Sequence, residues 1–318
     1  MFPFELQQQI EKLLERFKLS DLPYHELSKK YRGDRKGVRS LLQSKQEAMA
    51  YAAVRMPATF GAVSDALKKI VELFDFEPET MLDIGAGTGT CGWAAQELLE
   101  LKSLVCLERE VIMRDLGKTL MSGSDNPLLS QAQWVDFDVL NDDVSCEADL
   151  VTAAYIINEL PNFQKEKVLL KLWQATKKVL LIVEPGTPSA FSDLLKLRDF
   201  LVSHGAHIIA PCPHRQKCSL EAGDWCHFSA RIARSRLHRQ LKSAQMGYED
   251  EKYCYMAFTK VPLTLKYQRV LKEPQVTKAE VVCHVCQSGG HCEFVHFSVK
   301  NKENYKKAKK MCWGDILT

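Results

Sequence analysis

The sequence predicts an α/β protein built on a parallel, doubly wound sheet, with helices ahead of it and a cysteine-rich insert and β-rich tail behind. Three observations carry this expectation. Short β runs alternate with helical segments from Thr80 onward, a glycine loop joins the first run to a helix, and cysteines and basic residues crowd the last third. Strands and helices alternating at these lengths argue for a parallel sheet covered on both faces. The 318 residues are about twice a typical domain of ~150, enough for one large core and some additions. With 46% hydrophobic and 26% charged residues, disordered and fibrous classes are excluded. No apolar run approaches the ~20 residues of a membrane span, so no membrane partner is expected.

Taken in order, Leu6, Ile10, Leu13, Leu14 and Phe17 recur at helical spacing. Ser44-Lys45-Gln46-Glu47 reads as a capping box opening a helix that Pro57 should stop, and a second periodic stretch runs through Val63, Leu67, Ile70, Val71 and Phe74. The strands follow: Met81 to Ile84, Leu104 to Leu107, Gln133 to Val135, Leu150 to Tyr155 and Val179 to Val183. A helix is expected near Ser189 to Val202, and a further strand over Lys252 to Phe258. The expected organisation is a helical extension (1–75), a core (76–204), a cysteine-rich basic insert (205–251), and last strands with a basic tail (252–318). Met1 to Phe17 carries Glu5, Glu11 and Glu15 and no apolar h-region, so neither a signal nor a transit peptide is expected. That favours bacterial cytoplasm, with the mitochondrial matrix as the eukaryotic counterpart.

Met81-Leu82-Asp83-Ile84-Gly85-Ala86-Gly87-Thr88-Gly89 ends the first strand and opens a helix, whose free N–H groups suit a ligand. Gly87, Gly89 and Gly92 also satisfy G-x-G-x-x-G, with Glu108 about twenty residues on, as a dinucleotide site requires. Asp83 breaks the tie. An acid two residues before the first glycine is badly placed beside a pyrophosphate, but it can accept charge-assisted hydrogen bonds around a cationic aminoacid group. The stretch resembles the D-x-G-x-G-x-G signature of class I S-adenosylmethionine-dependent methyltransferases. That resemblance implies a Rossmann-like fold in which Asp83, Gly85, Gly87 and Gly89 line the methionine side, Glu108 holds the ribose and Asp138 reaches the adenine.

Catalysis is a separate matter. After the fourth strand, where such enzymes often carry an Asn/Asp-Pro-Pro-aromatic loop, this chain has Tyr155-Ile156-Ile157-Asn158-Glu159-Leu160-Pro161. Asn158 and Glu159 are the candidate catalytic residues, and capping of the following helix is the competing expectation.

Seven of the eleven cysteines lie between 212 and 292. Cys212, Cys218 and Cys226 are spaced too widely for the C-x2-4-C knuckles of structural zinc, whereas a cubane iron–sulfur cluster tolerates looser loops. Cys254, Cys283, Cys286 and Cys292 are candidates for a fourth ligand. Cys283 and Cys286 fall on opposite faces of a strand, and Cys286 adjoins the Gln287-Ser288-Gly289-Gly290 turn. A rival reading takes Cys283-His284-Val285-Cys286 with Cys292 and a histidine as a zinc site.

Arg55-Met56-Pro57-Ala58-Thr59, the glycine loop, Glu184-Pro185-Gly186, the Cys212-Pro213-His214 stretch, Trp225-Cys226-His227-Phe228, Tyr248-Glu249-Asp250-Glu251-Lys252 and Trp313-Gly314-Asp315 together resemble the Rsm22 family. These are methyltransferase-like proteins of the small ribosomal subunit. The resemblance implies a [4Fe-4S] cluster on Cys212, Cys218, Cys226 and Cys286, with Cys283 as the alternative fourth ligand. It also implies assembly of the small ribosomal subunit in contact with its rRNA; S-adenosylmethionine is the cofactor that the glycine-loop resemblance implies, and a monomer off the ribosome is expected. An active rRNA methyltransferase is the alternative.

Charge supports a polyanionic partner. Residues 1–204 carry a net −6 and residues 205–318 a net +9. Arg231, Arg234, Arg239 and Lys242 fall on one face if their segment is a continuous helix, a face suited to phosphates. Lys300 to Lys310 adds six lysines.

Overall fold

The structure, a computed structural model, describes residues 2–15, 44–221, 223–264 and 266–317. Helix α1 (Phe4–Leu14) buries Leu6, Ile10 and Leu14 on one face; Phe17, expected on the same helix, lies outside the described residues. Helix α2 (Lys45–Val71) starts where the capping box places it, the Ser44 hydroxyl accepting from the Glu47 amide at 3.1 Å. It does not stop at Pro57. A proline inside a helix removes one hydrogen bond and costs about 3 kcal/mol. Here both halves are fixed by burial: Val54, Met56, Ala58, Phe60, Val63 and Leu67 are all enclosed, and that packing overrides the local penalty.

The main sheet is ordered β3-β2-β1-β4-β5-β8-β6. β1 (Thr80–Ile84), β2 (Ser103–Glu108), β3 (Gln133–Asp136), β4 (Ala148–Ala154) and β5 (Thr176–Pro185) are mutually parallel. The crossovers carry α3 (Thr90–Ala95), α4 (Val111–Ser122), α5 (Pro127–Ser130) and α6 (Lys165–Ala175). α7 (Pro188–Ser203) then leads to β6 (His207–Ala210), within the stretch expected to be insert. The long β8 (Tyr248–Thr259) runs antiparallel between β5 and β6. This order, with an antiparallel strand before the last one, is the class I methyltransferase arrangement that the glycine loop implied.

The same edge of β8 that meets β6 also meets β7 (Phe228–Ala233), end to end. β7 corrects the expected helix from Arg231: Phe228, Ala230 and Ile232 point inward and the residues between them outward, a period of two. Only at Arg236 does helix α8 (Arg236–Lys242) begin, capped by the Ser235 hydroxyl.

A second sheet of five strands completes the chain. β9 (Gln268–Val270), β10 (Gln275–Val276), β11 (Glu280–Cys286), β12 (Cys292–Ser298) and β13 (Ile316–Leu317) enclose a small core of Val270, Val281, Cys283, Val285 and Ala308, the last from α9 (Lys302–Ala308). Among the described residues no helix is long and apolar enough to cross a membrane.

Candidate functional site

Two groups of predicted residues assemble, one at the carboxyl ends of β1, β2 and β4, the other where the two sheets meet.

At the first, Asp83 is fully buried and its Oδ1 accepts the Thr152 hydroxyl at 2.6 Å. Oδ2 is buried without a hydrogen-bond partner. Burial pushes this carboxyl up to about 7, against the pull of the Thr152 hydroxyl and the Cys91 thiol. An orphaned carboxylate oxygen of this kind fits a cationic ligand group. Gly85 adopts φ +64°, and a Cβ there would lie 2.4 Å from Ile156 Cδ1, so only glycine serves. Gly89, at φ +78°, opens α3, and a Cβ would strike Met121 Cε at 2.3 Å. Gly87 donates its amide to Glu108 Oε2 at 2.7 Å, while Glu108 Oε1 accepts from the Glu110 amide at 2.7 Å. Each carboxylate oxygen keeps a lone pair for a hydroxyl.

Asp138 is engaged within its own loop. Its oxygens accept from the Leu140 amide (3.0 Å) and the Asn141 side chain (2.8 Å), so the carboxylate closes its own turn.

The loop after β4 is held from beneath by a residue that had no assigned role. Glu184 is 2% exposed and accepts from the amides of Ile157 (2.8 Å) and Asn158 (3.2 Å). Burial pushes its carboxyl up to about 8, the two amides drawing it back. Asn158 and Glu159 lie in a 3-10 turn, Ile157–Glu159. Neither caps a helix, since α6 begins at Lys165 without a side-chain cap. Asn158 Oδ1 is buried and unpartnered. Tyr155, just before the turn, takes φ +60°, an uncommon state for a non-glycine residue, with its hydroxyl donating to Glu251 at 3.1 Å.

The second group brings cysteines together from distant segments. Cys212, Cys218, Cys226, Cys286 and Cys292 line one recess, with Cys254, His214 and Arg269. Cys283 does not join them. It faces the small core on the opposite side of β11, so the zinc pairing of Cys283 with Cys286 is not formed. Burial and the neighbouring thiols raise the thiol pKa values of Cys212, Cys218 and Cys226. His214 Nε2 stands 3.3 Å from Cys286 Sγ. Among the described residues, no group of three or more Cys, His, Asp or Glu is placed to hold a metal ion.

Two buried arginines frame this recess. Arg198 donates to the carbonyls of His214 (3.1 Å) and Gln216 (2.6 Å), holding the Cys212–Cys218 loop. Arg269, 1% exposed, donates to the carbonyls of Pro211 (3.2 Å) and Gly314 (2.7 Å). Its Nη2 has no partner, and among the described residues no carboxylate pairs with it. The Cys226 segment is clamped by Trp225, whose indole donates to the Gly186 carbonyl at 3.0 Å and stacks on His227, itself edge-on to Trp313. Sequence reasoning missed both arginines. Arg198 sits between Leu197 and Asp199 and Arg269 between Gln268 and Val270, so neither carries a local signal.

The expected basic face is divided. Arg231, on β7, forms two bonds to Asp250 (2.8 and 2.9 Å) and lies over the Tyr248 ring. Arg234 and Lys242 both hold Glu249, at 2.8 and 2.5 Å. Burial pushes the Glu249 carboxyl up, but the neighbouring His238 and the hydrogen bonds from Lys242 and Arg234 outweigh it and hold the group well below the carboxylate range. Arg239 and Arg236 are exposed and make no ion pair among the described residues.

The strand order, the glycine loop and the acids at the ends of β1 and β2 define a class I methyltransferase-like protein, here joined to a thiol-lined recess. The family model described as Mitochondrial small ribosomal subunit Rsm22 matches residues 45–318, and the chain belongs to the Rsm22 family. It is 27% identical over 296 residues to the human ribosome assembly protein METTL17, mitochondrial, covering 85% of this chain and 62% of that protein. It is 22% identical over 330 residues to Rsm22-cox11 tandem protein 2, mitochondrial, of Schizosaccharomyces pombe, covering 85% and 43%. The chain thus spans less than two thirds of the length of these curated relatives. Their names are mitochondrial, which does not support the expected preference for a bacterial cytoplasm. Among solved structures it resembles magnesium protoporphyrin IX methyltransferase from Synechocystis with bound S-adenosylmethionine (TM-score 0.43, 10% identity, 74% of this chain and 91% of that one). It also resembles the N-methyltransferase NodS from Bradyrhizobium japonicum (0.40, 10%, 75% and 98%).

Proposed function

We propose that this chain is an assembly factor of the small ribosomal subunit, in the mitochondrial compartment its relatives are named for. It binds S-adenosylmethionine at the glycine loop, a [4Fe-4S] cluster at the thiol recess and rRNA through its basic C-terminal part. The observation that carries the reading is Arg269: a buried guanidinium with an unpartnered Nη2 and, among the described residues, no carboxylate paired with it, in a recess that Cys212, Cys218, Cys226 and Cys286 line together with Cys254 and Cys292. Buried charges are paired in stable proteins. A cluster held by Cys212, Cys218, Cys226 and Cys286 carries net negative charge and supplies the missing counter-charge. Its role is to tie the insert to the C-terminal sheet, which ligands from distant segments would not achieve alone.

S-adenosylmethionine is supported by the orphaned Asp83 Oδ2 and by Glu108 at the ribose position. The protein's own residues there bind and orient, and Ile156 over Gly85 closes the glycine loop from the acceptor side. An active rRNA methyltransferase is the second reading, favoured by the unpartnered Asn158 Oδ1. The test is complementation of a strain lacking the endogenous factor. If Asn158→Ala restores subunit maturation and rRNA methylation is unchanged while Asp83→Ala or Cys226→Ser fails to restore maturation, the assembly reading holds; loss of one rRNA methyl group in Asn158→Ala would replace it with the enzyme reading.

A further inference from the structure

The hairpin of β11 and β12 sets Cys286 directly opposite Cys292. The next pair outward is closed by the Gln287 amide donating to the His291 carbonyl at 2.9 Å. Hydrogen-bonded and non-hydrogen-bonded pairs alternate along an antiparallel ladder, so Cys286 and Cys292 form a non-hydrogen-bonded pair, with Cα atoms roughly 4.5 Å apart and side chains close. A disulfide accepts Cα separations of about 4.4 to 6.8 Å, so this register needs no backbone movement to be bridged. Both side chains line the same recess. The Ser219 hydroxyl donates to Cys292 Sγ at 3.3 Å and fixes it toward the recess. Cys283 cannot compete, because it is fully buried on the other face.

We propose that Cys286 and Cys292 are a redox modification site: a thiol pair that closes to a disulfide within the hairpin when the recess holds no metal. The oxidant is a low-molecular-weight disulfide. Cys292, the more exposed sulfur, attacks one sulfur of the oxidant as thiolate, forming a mixed disulfide and expelling one thiolate. Cys286 then attacks the Cys292 sulfur, closing the protein disulfide and expelling the second thiolate. The two protons of the cysteine thiols end on the two released thiols, and the oxidant takes both electrons. The pair's geometry stands on its own; its consequence rests on the cluster reading, because a Cys286 held in a disulfide is withdrawn from the recess and an oxidised chain cannot load until it is reduced.

The experiment uses the full chain, stripped of metal by a chelator under anaerobic reduction, then exposed to glutathione disulfide, alkylated and digested with trypsin. Cleavage after Lys278 and Lys300 leaves Cys283, Cys286 and Cys292 on one peptide. The expected peptide is lighter by two hydrogens and carries a single alkyl group, on Cys283, and Cys283→Ala gives the same disulfide with no alkyl group. Cys292→Ser should restore alkylation of Cys286. A peptide alkylated on all three cysteines, a stable glutathione adduct at Cys292, or a bridge from Cys286 to Cys218 would overturn the proposal. Iron uptake separates the two readings. If the disulfide forms but the reduced chain never takes up iron and sulfide, the pair stands and the cluster reading fails.

Discussion

Arg234 donates to Glu249 Oε2 at 2.8 Å, with 13% and 11% of the two side chains exposed. A guanidinium so enclosed is a strut from the residue after β7 to β8 and is not available to phosphate. Replacing it leaves the Glu249 charge short of a partner, so Arg234→Gln should lower stability by about 2 kcal/mol. Thermal unfolding will read this, and the salt dependence of RNA binding should not change.

Arg236 and Arg239 carry the opposite expectation. Both are exposed and without ion pairs among the described residues, so both can neutralise phosphates. The double variant Arg236→Gln/Arg239→Gln should flatten the slope of log affinity against log salt by roughly 1.4 to 1.8. Stability should move by less than about 0.5 kcal/mol, as for ordinary surface positions. Fluorescence anisotropy with rRNA fragments at several salt concentrations measures the slope; an unaltered slope would move the interface to Lys300–Lys310.

Asp83 should trade stability for binding. Its carboxyl is raised in the folded chain, to about 7 from 3.8, so the native state holds its proton more tightly than the unfolded state does. Stability from this group therefore falls as pH rises from about 4 to 7 and is level above that. Asp83→Asn abolishes the decline and should be more stable at pH 8 by up to about 4 kcal/mol. The same variant should bind S-adenosylmethionine roughly ten- to a hundredfold more weakly. A cation against Asp83 favours its charged form, so wild-type binding below about pH 7 should release a proton, visible by calorimetry in buffers of different ionisation enthalpy.

The glycine loop was legible because its chemistry is local: strand, turn and helix adjoin in sequence, and Asp83 sits two residues before Gly85. The alternation of β1 to β5 with helices was legible for the same reason. Asp138 has a local use that its sequence position does not announce, its carboxylate closing the turn to Leu140 and Asn141. β7 was hidden by its own arginines. The inward set Phe228, Ala230 and Ile232 already had strand period, but the basic residues at 231 and 234 suggested a helical face. Pro57 does not stop α2, since enclosure of the helix on both sides of it decides the matter. Least legible was the recess itself. Cys226 enters it just before β7 and Cys286 at the end of β11, and no local pattern says that these ends line one recess with Arg269.

Loss of a ligand should be distinguishable from loss of a core residue. Cys212→Ser, Cys226→Ser and Cys286→Ser should each abolish iron retention and lower the melting temperature, whereas exposed Cys146→Ser should change neither. Cys283→Ala should keep its iron and show only the modest destabilisation of a small cavity, roughly 1 kcal/mol, in the C-terminal sheet.

The most direct measurement is the metal and sulfide content of the chain purified without oxygen, read together with its visible absorption. The account predicts about four iron and four sulfide ions per chain and a broad brown absorption lost on chelation. Stoichiometric zinc, or a colourless and metal-free chain that is equally stable with the recess empty, would contradict it.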